Sequence, residues 1–235
     1  MIFDPLYLLV IGIGFGLSLY ASTITKGRFR KYSQYTTRSR MTGADIARSI
    51  LEDNNIRDVK VERIPGELSD HYDPRTKILR LSEPVYDSNS MAAFGVAAHE
   101  VGHAIQHAKS YSMLQFRSAW VPVANYGGGI STFVIILAFV MGGAASATGS
   151  TLSWLGVLLF GCTTVFTLVT LPVEFDASKR ALVCLKQGNY VTEKELDGAR
   201  KVLNAAAMTY VAAFITSLLT LLYWAHKLGL LGGRR

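Results

Sequence analysis

Four long stretches of the chain contain no charged side chain, and they restrict its fold more than any other feature. They cover residues 5–25, 119–142, 151–173 and 205–225. An α-helix rises about 1.5 Å per residue, so about 20 apolar residues cross the ~30 Å hydrocarbon core of a bilayer. We therefore expect a mainly α-helical integral membrane protein with about four transmembrane helices.

The charges next to the first stretch predict its orientation. The basic cluster at 26–31, KGRFRK, follows it directly, and such clusters stay in the cytoplasm. A cleaved signal peptide is disfavoured because Asp4, and no Lys or Arg, precedes the stretch. Four spans then place both termini outside. Lys227, Arg234 and Arg235 favour the opposite side for the C-terminus, so the last stretch is alternatively re-entrant or packed on the cytoplasmic region.

The uncharged stretches divide the chain into six segments with different expected locations. These are an N-terminal anchor (1–25), a cytoplasmic region with a small α+β domain (26–118), a transmembrane hairpin (119–173), a cytoplasmic helix (174–204), a C-terminal transmembrane helix (205–226) and a tail (227–235).

The net charge of +7 comes from 24 Lys and Arg against 17 Asp and Glu. The membrane explains it, because cations flank transmembrane segments. The cations of the polar region form no array interleaved with aromatic residues, so we expect the lipid bilayer, and no nucleic acid, as a partner. Cys162 and Cys184 are expected to be free thiols.

Within the first polar region, the sequence predicts one helix and two strands. Thr42 and Asp45 resemble a capping box that opens a helix through about Asn54. Alternating apolar residues predict strands at Asp58–Ile64 and Lys77–Leu81.

The segment Met91–His107 carries the strongest chemical signal, the H-E-x-x-H motif at 99–103. Residues four apart lie on one face of a helix, so His99 and His103 can aim ring nitrogens at one metal ion. Glu100 is placed beside the metal to take a proton from water. The alternative is two core histidines and a glutamate at this spacing by chance, but three ionisable groups in an apolar helix are costly unless paired or metal-bound.

The rest of this segment predicts a buried helix in close contact with another element. Its other residues are mostly apolar, and Ser90 can act as the N-cap. Gly95 and Gly102 weaken a helix, so we expect them where another element approaches closely.

A catalytic zinc site needs a third protein ligand. The extended pattern H-E-x-x-H-x-x-G-x-x-H is absent, because Gln106 and Lys109 occupy its last two fixed places. His107 continues the same line along the helix, so ligation by it is disfavoured. Glu174 follows the hairpin, which returns it to the membrane face of His99, and we expect it to be the third ligand. The alternative is that it only starts a helix after Pro172.

Three segments together resemble a known family. They are LSDHYDPRTKILRL at 68–81, HEVGHAIQH at 99–107 and PVEFDASKRAL at 172–182. The chain resembles the bacterial membrane family called putative neutral zinc metallopeptidases, over nearly its whole length. It is more distantly similar to gluzincins, which combine H-E-x-x-H with a downstream glutamate. Their second motif tends to be E-x-x-x-D, whose last place is Ser178 here, with an acid at Asp176 instead.

The resemblance implies a zincin-like domain and peptidase activity on a peptide or protein substrate. We expect one Zn²⁺ held by His99, His103 and Glu174, with Glu100 as general base at the cytoplasmic face. The alternative function is a non-catalytic, zinc-stapled membrane scaffold that binds a partner. A fourth protein ligand such as His107 or Asp176 would favour the scaffold.

Further roles are assigned by residue type. Asp176 is expected to accept a hydrogen bond from His99 or His103, or to pair with Lys179 or Arg180. Candidates for the oxyanion donor are Tyr72, His71 and Arg180. An extended substrate can pair with an open sheet edge. The residues expected to form that edge are Lys77, Ile78, Leu79, Arg80 and Leu81. The alternative is that this strand forms an ordinary hairpin with Asp58–Ile64.

Overall fold

The computed structural model describes residues 4–231, which fold mainly into α-helices beside one small sheet. The elements are α1 (Pro5–Ser33), α2 (Gly43–Asp53), β1 (Lys60–Ile64), β2 (His71–Asp73), β3 (Ile78–Ser82), α3 (Glu83–Tyr86), α4 (Met91–Ala108), α5 (Ser112–Val140), α6 (Ala147–Gln187) and α7 (Glu193–Lys227), with a 3₁₀ turn at Gly143–Ala145.

Three helices, α1, α6 and α7, are long and apolar enough to cross a membrane. A fourth span is present if the two halves of α5, Ser112–Ala124 and Tyr126–Val140, are taken together, although they are bent by 41°. Pro122 lies inside this helix, and proline bends helices because it removes a backbone hydrogen bond. The chain is thus a mainly helical protein with three or four candidate membrane spans, as the uncharged stretches predict.

The chain divides into two compact units. The first contains the N-terminal part up to Tyr20, Phe116–Leu171 and the C-terminal part from Tyr210. Its buried cluster centres on Ile135, Tyr223 and Trp224. The second unit contains Ala21–Gln115 and Pro172–Thr209. All residues predicted for the metal site and its surroundings belong to this unit.

In the second unit, α2 and α4 share a hydrophobic core with the sheet. Thr42 and Asp45 form the predicted capping box in full, and α2 buries Ile46 and Ile50 completely. This prediction is confirmed, as is the Ser90 N-cap of α4, whose hydroxyl accepts a hydrogen bond from the backbone N–H of Ala93.

The sheet has the order β1-β3-β2, with β1 parallel and β2 antiparallel to β3. The two predicted strands are present as β1 and β3. The third strand, β2, was not predicted, because its residues are mostly polar and lie between two turns. β1 and β3 cannot form a hairpin because they are parallel. β3 lies between β1 and β2, so the expectation that Lys77–Leu81 is the open edge is wrong. Ile78, Leu79 and Arg80 have partners in both neighbouring strands, and Leu81 has a partner in β1.

The two glycines of α4 lie where other helices approach closely, as predicted. A Cβ on Gly102 would lie 2.4 Å from the backbone oxygen of Ala177 in α6, and one on Gly95 would lie 3.3 Å from Ala199 in α7. Backbone atoms cannot move aside cheaply, so Gly102 sets the short distance between α4 and α6.

The segment 174–204, expected as one cytoplasmic helix, is the end of α6 and the start of α7. α6 continues through Pro172 without a break up to Gln187. Glu174 therefore lies inside a long helix and does not begin one, so the alternative that it starts a helix is wrong.

Candidate metal centre

Three side chains converge between α4 and α6. His99 and His103 lie one turn apart on α4, and their ring centroids are 4.8 Å apart with planes at 84°. Glu174 on α6 faces both rings, and its Oε2 lies 3.3 Å from His99 Nε2 and 3.5 Å from His103 Nε2. The Glu174 and His103 side chains are 4% and 10% exposed, so this cluster is nearly closed to solvent.

The donor set fits a zinc ion. One ligand atom from each of the three side chains lies within 4.8 Å of the other two. Donors bound tetrahedrally at about 2.0–2.2 Å from one Zn²⁺ lie about 3.3–3.6 Å from one another, which matches the distances from Glu174 to both rings. Two imidazoles and one carboxylate are also a known catalytic zinc set, which leaves one position for water or substrate.

The outer nitrogen of each histidine has its own polar contact. His99 Nδ1 lies 3.0 Å from the hydroxyl of Ser178, and His103 Nδ1 lies 3.1 Å from Oε1 of Gln106. Such contacts hold the rings in place and direct Nε2 toward a metal. Ser178 occupies the last place of the E-x-x-x-D pattern, so here a serine hydroxyl contacts His99 Nδ1 at a position where related proteins tend to have a carboxylate.

Gln106 is completely buried, and its amide orientation is determined by its neighbours. Its Nε2 donates hydrogen bonds to the backbone oxygen of Val173 and to Oδ2 of Asp176, both at 2.8 Å. Because the amide nitrogen faces two acceptors, Oε1 faces His103, whose Nδ1 must then donate. The Nε2 lone pair of His103 is thereby left for a metal.

Asp176 contacts Gln106 and Arg180 and does not itself orient a histidine. Its Oδ2 accepts from Arg180 Nε at 2.5 Å as well as from Gln106. Its predicted pairing with Arg180 is confirmed. The expected direct contact with His99 or His103 is replaced by an indirect one, because Gln106 lies between Asp176 and His103.

We expect the substitution Gln106→Leu to weaken zinc binding by about 10- to 100-fold, because the His103 ring loses the acceptor that fixes its orientation. Leucine has a similar size, so the cavity stays filled, although Asp176 loses one donor. The measurement is the zinc dissociation constant, obtained by competition with a chelator of known affinity.

The matched control for this change is Gln115→Leu, which makes the same replacement at an exposed position of the same unit. It should leave zinc affinity unchanged. Equal zinc affinity in Gln106→Leu and wild type would contradict the orienting role of Gln106.

Glu100 lies on α4 beside the cluster and is 8% exposed. Burial raises the pKa of Glu100 to about 7, with smaller contributions from the His99 ring, which lowers it, and from Asp70 and Glu174, which raise it. The backbone N–H of Tyr72 in β2 also favours the charged carboxylate. A carboxyl group that exchanges its proton near neutral pH suits a general base.

Asp70 supports the segment that carries Tyr72. Its Oδ1 accepts from the backbone N–H of Ser82 at 2.7 Å, and its Oδ2 accepts from the Ser82 hydroxyl at 2.9 Å. These bonds join the residue before β2 to the end of β3. Burial raises the pKa of Asp70 despite these bonds.

The oxyanion candidates occupy different surroundings. The Tyr72 hydroxyl lies 2.8 Å from His107 Nδ1, and burial raises the pKa of Tyr72 to about 12. His71 is exposed and lies beside Arg80. Arg180 pairs with Asp176 and lies over the Tyr111 ring. The oxyanion role of all three stays a prediction.

Comparison with known proteins assigns the chain to a family. Residues 7–228 match the model of the family described as putative neutral zinc metallopeptidase. The chain belongs to this family. It is 44% identical over 207 residues to the putative membrane protease YugP of Bacillus subtilis (strain 168), which covers 88% of this chain and 89% of that relative. No solved structure matches the chain. The family and this relative agree with a membrane location and a zinc-dependent hydrolase.

For this metallopeptidase family member, sequence reasoning missed three residues of the site. Ser178 had a signal, since it stands where the related pattern has an acid. No sequence pattern indicated Gln106 or Asp70. The partners of Gln106 lie 67 to 70 residues away in α6, and the partner of Asp70 lies 12 residues away in β3.

Proposed function

We propose that this protein is a membrane-embedded zinc-dependent endopeptidase, with His99, His103 and Glu174 as zinc ligands and Glu100 as general base. The observation that carries the proposal is the convergence of two Nε2 atoms and one carboxylate, with a second, buried carboxyl group beside them. The family assignment supports the same chemistry.

Zinc bound by these ligands would polarise a scissile carbonyl group and acidify water. Glu100 accepts the proton of the attacking water and transfers it to the leaving amine. Gln106 and Ser178 hold the two histidine rings in position. The α4 helix contributes the base and two ligands, and α6 contributes the third.

The substrate edge is β2, in place of β3. β2 is an outer strand of the sheet, and the backbone of Tyr72 in this strand is close enough to Glu100 to lower the pKa of its carboxyl group. An extended peptide added alongside β2 would place its backbone next to the general base. This arrangement supports a zincin-like domain in the second unit.

The active site belongs on the cytoplasmic side. The basic cluster 26–31 and the three ligands belong to the same compact unit. Positive clusters beside membrane spans remain in the cytoplasm, so the motif helix remains there with them.

The zinc-stapled scaffold is the second candidate, and it needs a fourth protein ligand. Within residues 4–231, the only candidate group of metal ligands contains His99, His103 and Glu174. His107 contacts Tyr72, and Asp176 contacts Gln106 and Arg180. A structural zinc site also does not require a buried glutamate beside the metal, so Glu100 favours the peptidase over the scaffold.

The test is metal removal from the purified full-length protein. We expect about one zinc per chain, and we expect 1,10-phenanthroline to reduce cleavage of a quenched-fluorescence peptide library to about a tenth or less. Stoichiometric Zn²⁺ should restore cleavage. Mg²⁺ is the control and should not, because it prefers oxygen ligands.

Two results would separate the candidates. Bound zinc without any peptide cleavage would favour the scaffold. Full activity after complete removal of zinc would refute the metallopeptidase.

A further inference from the structure

The uncharged parts of α1 and α7 end at the same height. That of α1 covers residues 5–25 and that of α7 covers residues 205–225. The Thr25 hydroxyl donates a hydrogen bond to the backbone oxygen of Ala205 at 2.9 Å, so the last residue of one part contacts the first residue of the other. Each part is about 32 Å long, which fits the ~30 Å hydrocarbon core with little length to spare. A membrane that contains these helices therefore has its boundary beside Thr25 and Ala205.

The uncharged part of α6 ends at this height too. α6 and α7 are joined by the short connection 188–192 and line a common groove within the second unit. Val173, the last uncharged residue of α6, lies 14 residues before the end of that helix at Gln187. Ala205 lies 12 residues after the start of α7 at Glu193. Because both counts start from the same connection, the two boundaries differ in height by about two residues, or about 3 Å.

The three proposed zinc ligands lie at this boundary. Glu174 is the first residue after Val173, and the Nε2 atoms of His99 and His103 lie 3.3 Å and 3.5 Å from its carboxylate. Side chains of an α-helix tilt toward its N-terminus, which for Glu174 is the direction of the uncharged part of α6. The headgroup layer of a bilayer is about 5–8 Å deep, so zinc held by these ligands would lie within that layer.

We propose that the substrate is the segment of an integral membrane protein directly next to its transmembrane span, cleaved within about three residues of that span. An extended chain advances about 3.3 Å per residue, so about two residues cross the headgroup layer. A folded soluble protein would have to insert an unfolded loop among the headgroups to reach the zinc, whereas the end of a transmembrane span is already there. This inference names the substrate class of the proposed peptidase and therefore rests on that function.

The depth of the metal centre is tested without an activity assay. A fluorophore is attached to Phe175→Cys in the full-length protein, with Cys162 and Cys184 replaced by alanine. Phe175 follows Glu174 and is 49% exposed, so the fluorophore should be strongly quenched by phosphatidylcholine that carries a spin label on its headgroup. The control is Gln187→Cys, an exposed position of the same helix about 18 Å further along, which should show little quenching. Equal quenching at the two positions would overturn the inference.

The substrate class is tested with the full-length protein in vesicles of phosphatidylcholine and phosphatidylglycerol. A short unfolded peptide can reach the site from solution, so a sequence cleaved in the peptide library supplies the scissile bond. Three substrates carry this sequence after one transmembrane helix, with spacers of about 2, 8 and 14 residues that extend to about 7, 26 and 46 Å. The effective concentration of a tethered group falls about as the −3/2 power of linker length, so the shortest spacer should give cleavage about 18-fold faster than the longest.

The order of the three rates reports the height of the site, because all three substrates are tethered in the same way. Equal rates, or rates that rise with spacer length, would overturn the inference and leave the peptidase function standing if the soluble peptide is cleaved. No cleavage of the soluble peptide or of any tethered substrate would refute the proposed function and this inference with it. Glu100→Gln is the control for contaminating proteases and should cleave none of the substrates.

Discussion

The variant Glu100→Gln is expected to keep its zinc and to lose cleavage by about 10³-fold or more. General-base catalysis contributes about 10²- to 10⁴-fold, and an amide cannot accept the proton of the attacking water. The three ligands are unchanged, so zinc content should equal that of wild type. The measurement is kcat/KM on a peptide that wild type cleaves, together with zinc content.

The fold should tolerate this change. Burial raises the pKa of Glu100 to about 7, so the fold favours the protonated, neutral form of this carboxyl group. In the metal-free protein its contribution to stability is full below pH ~4.5 and is lost as pH rises toward ~7. A neutral amide should therefore leave the metal-free protein at least as stable at pH 8.

The control for Glu100→Gln is Glu67→Gln, which makes the same replacement at an exposed position. It should retain wild-type kcat/KM. Cleavage by Glu100→Gln at the wild-type rate would show that another group activates the water.

The parts of the site that depend on local spacing could be predicted from the sequence. His99 and His103 share a helical face because they are four residues apart, and the Ser90 cap and the capping box of α2 are equally local. Glu174 was also accessible, because an even number of spans returns the chain to the same side of a membrane.

The parts that depend on pairing across the chain could not be predicted. The expectation that Lys77–Leu81 forms an open edge is wrong because nothing in its alternation of residues shows that both β1 and β2 pair with it. β2 has only three residues and lacks an apolar run. Gln106 resembles any polar residue at the end of a helix, and only the close approach at Gly102 brings the α6 backbone to its amide.

The variant Glu174→Ala is expected to weaken zinc binding by at least about 100-fold. Structural zinc sites with four ligands contribute about 10–16 kcal/mol in total, so one ligand is worth roughly 3 kcal/mol. His99 and His103 remain on α4, but they supply only two donors on one side of the ion. Activity should be lost with the zinc, in contrast to Glu100→Gln, which loses activity alone.

Thermal unfolding distinguishes these two losses without an activity assay. A ligand that binds only the folded state stabilises it by about 2.7 kcal/mol at 100 times its Kd. Added zinc should therefore raise the Tm of zinc-depleted wild type and of Glu100→Gln, but not that of Glu174→Ala. Glu52→Ala, which removes an exposed carboxylate of the same unit, should respond as wild type does. A normal zinc response in Glu174→Ala would remove this glutamate from the ligand set, and the convergence of α4 and α6 would then need another explanation.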